Sequence, residues 1–481
     1  MLLQRFYDAK LAQASYLIGC GESGQSVVID PNRDVQQYLD AATARGLRVT
    51  HVTETHIHAD FVSGSRELAA RTGAALYLSG EGGPDWTYAF AGEAGATLIG
   101  EGDALEVGSV RIEAVHTPGH TPEHLVFLVT DTAAATAPIA AVTGDFVFVG
   151  DVGRPDLLEK VVEVEGSMDA AARTLFHSLQ RFKTQPDYLQ IWPGHGAGSA
   201  CGKDLSSVPH STVGYERLFN WAFAVAGEEE FVRLILEGQP EAPRYFGEMK
   251  RINRCGPRVL GELPRPEPMA ASALPEVMKR GATVIDTRPA LAYAAGHVPG
   301  TLNLPLDQSF TGWAGWLVPY TGALYLLIDQ NRGRGLREAV RDLAMIGLDR
   351  VAGYFGTDAI AAWSNGRRPG TISQITASEL ARQLGEGAAS VIDVRARSEW
   401  ETGHLPGVAH IPLGTLPEHL SRLPRDRPLV VHCQGGARSA IAASLLQANG
   451  FGNVFNLKGG LAEWAAGGFP IQRPLETTPP D

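Results

Sequence analysis

The chain has 481 residues, 44% of them hydrophobic and 20% charged, a balance that fits a soluble globular protein with ample core. Its net charge of −12 argues against a general nucleic-acid or anionic-membrane binder, and no apolar run approaches a membrane span. Arg5, Asp8 and Lys10 break up the amino terminus too early for a signal peptide, and four scattered cysteines give neither a disulfide framework nor a Cys-x-x-Cys zinc spacing, so a reducing cytoplasm is expected. At about 150 residues per domain, the length implies about three domains.

Residues 1 to 256 alternate strand-like runs with helical segments and short Gly/Pro turns, an α/β pattern. Tyr16–Ile18 and Ser26–Asp30 predict an opening hairpin, and Asp34–Arg45 has helical spacing. The β-branched run Val49–Thr53 then delivers Thr55-His56-Ile57-His58-Ala59-Asp60-Phe61, followed by a short helix over Ser65–Thr72. Residues two apart on extended chain point the same way, so His56, His58 and Asp60 can converge. Two imidazoles and a carboxylate aimed at one point describe a metal site.

Further strands each deliver another polar loop. Val110–Val115 leads to His116-Thr117-Pro118-Gly119-His120, Ile139–Thr143 to Gly144-Asp145, and Tyr188–Trp192 to Pro193-Gly194-His195-Gly196. Candidate ligands thus sit just beyond strand ends, where an α/β sandwich gathers distant residues along a sheet edge. His116 and His124 read as hydrogen-bonded loop residues, and Cys201 follows His195 closely enough to lie near the same pocket. An anionic substrate would need a local positive site in so acidic a chain. Arg154 is one candidate, and the basic stretch containing Arg244, Lys250 and Arg251 is another.

Clustered prolines mark a linker at 257–271. An internal repeat follows: Val284-Ile285-Asp286-Thr287-Arg288 recurs as Val391-Ile392-Asp393-Val394-Arg395, and Gly296-His297-Val298-Pro299-Gly300 as Gly403-His404-Leu405-Pro406-Gly407, at the same interval. Two tandem α/β domains are expected at 272–368 and 369–476, with a disordered tail at 477–481.

The second repeat contains a buried-strand run, Leu429–His432, ending at Cys433. The loop Gln434-Gly435-Gly436-Ala437-Arg438 follows and then a helix. A cysteine at that junction faces backbone N–H groups and a helix amino terminus, both favourable to a thiolate and to bound anions. Arg438 closes the ring and can pair with an anionic sulfur donor. In the first repeat Asp329 stands opposite Cys433 and Arg334 opposite Arg438, so the nucleophile is missing.

The ordered set His-x-His-x-Asp, Thr-Pro-Gly-His, Gly-Asp and Gly-His-Gly resembles the metallo-β-lactamase superfamily, which implies an αββα sandwich over residues 1–256. The usual motif continues with a second His where this chain has Phe61, and that departure favours one metal over two. The resemblance is to the persulfide (sulfur) dioxygenase branch, whose pattern implies one Fe(II) per chain on His56, His120 and Asp145, the facial arrangement of mononuclear non-haem iron. His58, Asp60 and His195 would then orient ligands or line the pocket. The Cys433 loop resembles the rhodanese signature Cys-x-x-Gly-x-Arg, which implies sulfur transfer, with the first repeat inactive.

The substrates so implied are a low-molecular-weight thiol persulfide, O2, sulfite and thiosulfate, with no nucleic acid or membrane as partner and with homo-oligomerisation left open. A dizinc thioester hydrolase of the glyoxalase-II type, and tandem repeats serving as a docking scaffold, are the alternatives.

Overall fold

A computed structural model describes residues 1–157, 167–329 and 335–473. They form two compact units, Met1–Leu263 with Leu343–Gly347, and Pro264–Asp342 with Leu348–Asp481. The expected linker straddles the division at Leu263, and both repeats fall in the second unit. Arg334 and the expected tail at 477–481 lie outside the described residues.

The first unit holds two six-stranded sheets. One runs in the order β1 (Leu2–Asp8), β2 (Gln13–Cys20), β3 (Gln25–Ile29), β4 (Arg48–Thr53), β5 (Ala75–Ser79), β6 (Thr97–Ile99). The other comprises β7 (Ala104–Val107), β8 (Val110–His116), β9 (Leu125–Asp131), β10 (Ala140–Gly144), β11 (Gln190–Pro193) and β12 (Ser211–Thr212), again in chain order. Strand alternation builds the core between the sheets. Ala14, Tyr16 and Ile18 of β2 meet Ile112, Phe127 and Val142 of the second sheet, while Leu17 turns to the outer layer.

Helices cover both outer faces. Gln36–Ala44 and Ser65–Thr72 place Tyr38 and Leu68 against Val28, Val52 and Leu76. Ser167–Phe182 and Glu228–Leu236 place Leu175, Leu179 and Phe231 against Val126, Ala141 and Ile191. This is the αββα sandwich, and because both faces are covered, β2 is buried along its whole length.

The second unit carries two parallel sheets. The first repeat has the order β14 (Leu302–Asn303), β13 (Thr283–Asp286), β15 (Leu324–Ile328), β16 (Val351–Gly356). The second repeat has β17 (Ser373–Ile375), β21 (Val454–Leu457), β20 (Leu429–His432), β18 (Ser390–Asp393), β19 (Ala409–His410). The repeated sequence produces repeated contacts. Arg288 clasps Asp286 and the Gly296 carbonyl, and Arg395 clasps Asp393 and the Gly403 carbonyl. His297 stacks on Tyr293 and His404 on Trp400. Asp393 and His404 are therefore bound up in holding the fold. No helix among the described residues is long and apolar enough to cross a membrane.

Phe127 is fully buried between the two sheets. Phe127→Ala should lower stability by about 3–5 kcal/mol, read as a reduced urea midpoint, because the lost aromatic surface leaves a cavity.

Candidate metal centre and cysteine loop

β4 ends at Thr53, and the ligand loop that follows is fixed by two buried carboxylates from other elements. Asp30, just past β3, accepts the Thr55 N–H at 2.6 Å and the Thr55 hydroxyl at 2.9 Å, and lies 3.0 Å from His58 Nε2. Glu123 accepts the Ile57 N–H at 2.8 Å. His56 Nδ1 lies 3.0 Å from the Thr55 hydroxyl, which leaves Nε2 to face inward. Neither Asp30 nor Glu123 belongs to a recognisable motif, so no spacing marks them in the sequence.

The β8–β9 connection brings His120, whose Nδ1 donates to the Arg154 carbonyl at 2.9 Å, and β10 brings Asp145. Gly144 sits at φ +49 with Thr55 and His124 filling the space a β-carbon would need, so this sharp turn into Asp145 requires glycine. His124 Nδ1 pairs with Thr117 and its Nε2 accepts the Asp145 N–H, making it a hydrogen-bonded loop residue. His120 Nε2 lies 3.6 Å and His56 Nε2 3.9 Å from Asp145 Oδ2. Burial, followed by the neighbouring imidazoles, holds His56 well below its ordinary pKa; burial also lowers His120, against the pull of Asp145. Both rings thus keep lone pairs available.

A second cluster adjoins the first. Asp60, His195 and Cys201 also bring one ligand atom each within 4.8 Å of one another. His195 Nδ1 donates to the Ala12 carbonyl, and its Nε2 lies 3.3 Å from Asp60 and 3.4 Å from Asp145. Burial, then Asp145 and Asp60, push the Cys201 thiol well above its usual range. Phe61, a hydrocarbon ring with no donor atom, is buried 4.4 Å from the ring of His58, whereas Cys201, from the stretch between β11 and β12, brings its sulfur to Asp60 and His195. His58 is turned onto Asp30; burial opposes its protonation, but Asp30 and then Glu54 and Asp60 raise it to about 9.

The cavity fits a cation. All four carboxylate oxygens of Asp60 and Asp145 are buried without a hydrogen-bond partner. A buried carboxylate left so costs several kcal/mol, on the order of its desolvation, unless a positive charge meets it. With two inward Nε2 atoms, the donor set matches a transition metal rather than calcium or magnesium.

The substrate-binding candidates fare differently. Arg154 is completely buried and engaged by Asp156 through Nε and Nη2 and by the carbonyls of Ala200 and Pro240. It is a structural clamp, not an exposed cation, a distinction of burial that its charge alone does not reveal. Lys250 lies 3.1 Å over the Trp86 ring, and burial lowers its pKa against the opposing pull of Glu123. Arg251 is exposed and pairs with Glu248 of its own helix, while Arg244 is exposed nearby. A recess of about 520 Å³, lined in part by Gly198, Ser199, Gly202 and Lys203, borders the loop that carries Cys201.

In the second unit, β20 delivers Cys433 at the mouth of the helix Ala437–Ala448. Gly436 takes φ +98, which turns its N–H onto Cys433 Sγ at 3.1 Å; the Ser439 hydroxyl lies 3.5 Å away. Arg438 is held by both carboxylate oxygens of Glu399, and this pairing raises its pKa. Burial opposes ionisation of Glu399, but the Arg438 bond outweighs it and lowers its pKa. Glu399 is a further site residue missed in the sequence, where it reads as one exposed helix glutamate. Asp329 directly follows β15 just as Cys433 directly follows β20.

Residues 9–195 match the model of the metallo-beta-lactamase superfamily, and residues 376–467 match that of the rhodanese-like domain. The chain is 29% identical over 263 residues to the mitochondrial persulfide dioxygenase ETHE1 of Bos taurus, covering 53% of this chain and 89% of that one. A sulfurtransferase of Allochromatium vinosum is 34% identical over 104 residues, 21% of this chain and 97% of the relative. A crystal structure of a metallo-beta-lactamase from Staphylococcus aureus superposes with TM-score 0.68 at 42% identity, covering 74% of this chain and 99% of the other.

Asp145 borders both clusters, so Asp145→Asn should lower the metal retained after dialysis at least tenfold, on the order of the loss of one charged ligand. Cys201→Ser should retain the metal held by His56 and His120. Elemental analysis of the folded variants reads both, and undiminished metal in Asp145→Asn would remove that carboxylate from the ligand set.

Proposed function

The chain belongs to the metallo-β-lactamase superfamily and carries a rhodanese-like domain, and from that premise we propose a non-haem iron persulfide dioxygenase coupled to sulfur transfer. One observation supports this most: a buried His56–His120–Asp145 donor set and, on a separate loop, a cysteine with N–H and arginine partners. The overall change at the first site is RSSH + O2 + H2O giving RSH, sulfite and two protons. Fe(II) held by His56, His120 and Asp145 supplies access to O2 that zinc, with no redox change, does not.

The protein's own groups set the conditions for that chemistry. Thr55 and the Arg154 carbonyl orient the two imidazoles through their Nδ1 atoms, and the near-complete burial of all three ligands keeps bulk water out. Asp60 and His195 border the same space and are placed to hold or pass a proton as the persulfide loses its own.

At the second site the Cys433 thiolate attacks the outer sulfur of RSSH. The S–S bond breaks, the released thiolate takes the persulfide proton and leaves as RSH, and Cys433 keeps the outer sulfur as an ionised persulfide. Sulfite then attacks that sulfur, forms thiosulfate and returns the thiolate. Arg438 offsets the negative charge throughout. Asp329 has no sulfur to accept and would repel anionic donors, so the first repeat performs no transfer of its own.

The Asp60–His195–Cys201 cluster favours a second reading, a two-metal thioester hydrolase. Single-residue variants separate the possibilities. Cys433→Ser should consume O2 with added glutathione persulfide at close to the parent rate and release sulfite without thiosulfate. His120→Ala should take up no O2 yet still make thiosulfate from persulfide and added sulfite. If Cys433→Ser stopped O2 uptake as fully as His120→Ala at unchanged iron content, the division into two sites would fail.

A further inference from the structure

The repeat without a nucleophile borders the cysteine loop of the other. A cavity of about 550 Å³ is lined on one side by Thr287, Pro289, Leu306 and Trp313 of the first repeat, and on the other by Arg438 and Ile441. A water's share of liquid volume is about 30 Å³, so sulfite or thiosulfate would fill only a small part of this space. The volume instead lies within the roughly 300–1,000 Å³ typical of pockets for organic ligands.

The two walls are fixed to each other. The Asn303 N–H donates to the Ser444 hydroxyl at 3.0 Å, tying β14 to the helix that follows Cys433. His297 and Gly370 exchange a pair of backbone hydrogen bonds, at 3.0 and 2.9 Å. Arg438 faces the cavity while also interacting with Cys433 Sγ and holding Glu399. The lining is therefore divided in chemistry: a cation beside the reacting sulfur, proline, leucine and tryptophan surfaces beyond it, and at the exposed rim Asp307, whose carboxylate is taken up by the Ser309 N–H and hydroxyl. An inorganic oxyanion uses only the first part. An organic persulfide uses both, its sulfur end at Arg438 and its carbon skeleton against Leu306 and the half-buried Trp313.

We propose that the first repeat forms the carrier-binding wall of the Cys433 site, so that the preferred sulfur donor there is an organic persulfide of peptide-like size rather than thiosulfate. This rests on Cys433 being the sulfur-transfer nucleophile. Loss of the sulfur-accepting residue in the first repeat then leaves a domain retained for recognition. Trp313 is the specificity-determining residue of this wall, through contact with the donor's skeleton.

The test compares two donors on the full chain under anaerobic conditions, where dioxygen chemistry is silent: glutathione persulfide with sulfite as acceptor, and thiosulfate with cyanide as acceptor. Trp313→Ala should raise KM for glutathione persulfide at least about fivefold with kcat nearly unchanged, on the order of one lost aromatic contact. Its KM for thiosulfate should stay within about twofold of the parent, as expected for a donor that does not reach the wall. Trp313→Phe should restore most of the affinity. Leu306→Ser, at the partly exposed rim, should shift the same KM in the same direction and decides the matter alone if Trp313→Ala does not fold. Equal effects on both donors, or none on either, would overturn the proposal. A parent protein that transferred sulfur from neither donor would instead overturn the role given to Cys433.

Discussion

One buried carboxylate sets the geometry of the candidate metal centre. Asp30 sits at φ +54 at the end of β3, almost wholly inside the domain, and takes both hydrogen bonds that Thr55 can offer it while facing the His58 ring. Thr55 in turn fixes the His56 imidazole, so the direction of its inward-facing nitrogen is decided by a residue just past the preceding strand. The other inward-facing imidazoles follow the same logic, with backbone carbonyls of Arg154 and Ala12 orienting His120 and His195. What these contacts leave over is a concentration of buried oxygen and nitrogen lone pairs facing one space. That arrangement is stable only if something positive stands among them.

The sequence revealed the parts whose chemistry lies in short motifs. His56, His120, Asp145 and His195 were legible because each follows a hydrophobic strand run, and the fold places strand ends together. Cys433 and Arg438 were legible for a similar reason, a strand, a glycine-rich turn and a helix in immediate succession. Asp30, Glu123 and Glu399 were not, since a lone carboxylate in a strand end, loop or helix carries no spacing that marks it. Cys201 was visible only as a neighbour of His195, and nothing local shows that its side chain turns inward. Arg154 went the other way: its charge suggested a substrate contact, whereas Asp156 and two carbonyls consume it inside the domain. Strands β1 and β6 lack the clean alternation that marks a strand, and β7 alternates but over only four residues, so none of the three stands out in the sequence.

The two repeats show how one frame supports different uses. The Asp–Arg clasp and the stacked histidine recur almost unchanged, because they hold the strand-to-helix corner on which each sheet depends. The differences gather at the loop. Asp329 stands where Cys433 does, and Ala292 occupies the repeat position of Glu399. The first repeat therefore carries neither the cysteine nor the glutamate of the second, while keeping the Asp–Arg clasp and the stacked histidine. A domain can shed chemistry without shedding the shape that another domain needs.

The most direct measurement compares the parent chain loaded with Fe(II) and with Zn(II), given glutathione persulfide while dissolved O2 and all sulfur products are followed. The account predicts near one iron per chain and one O2 consumed for each persulfide oxidised, with no O2 uptake by the zinc form. Two zincs per chain, fast thioester hydrolysis and no O2 uptake by the iron form would contradict it.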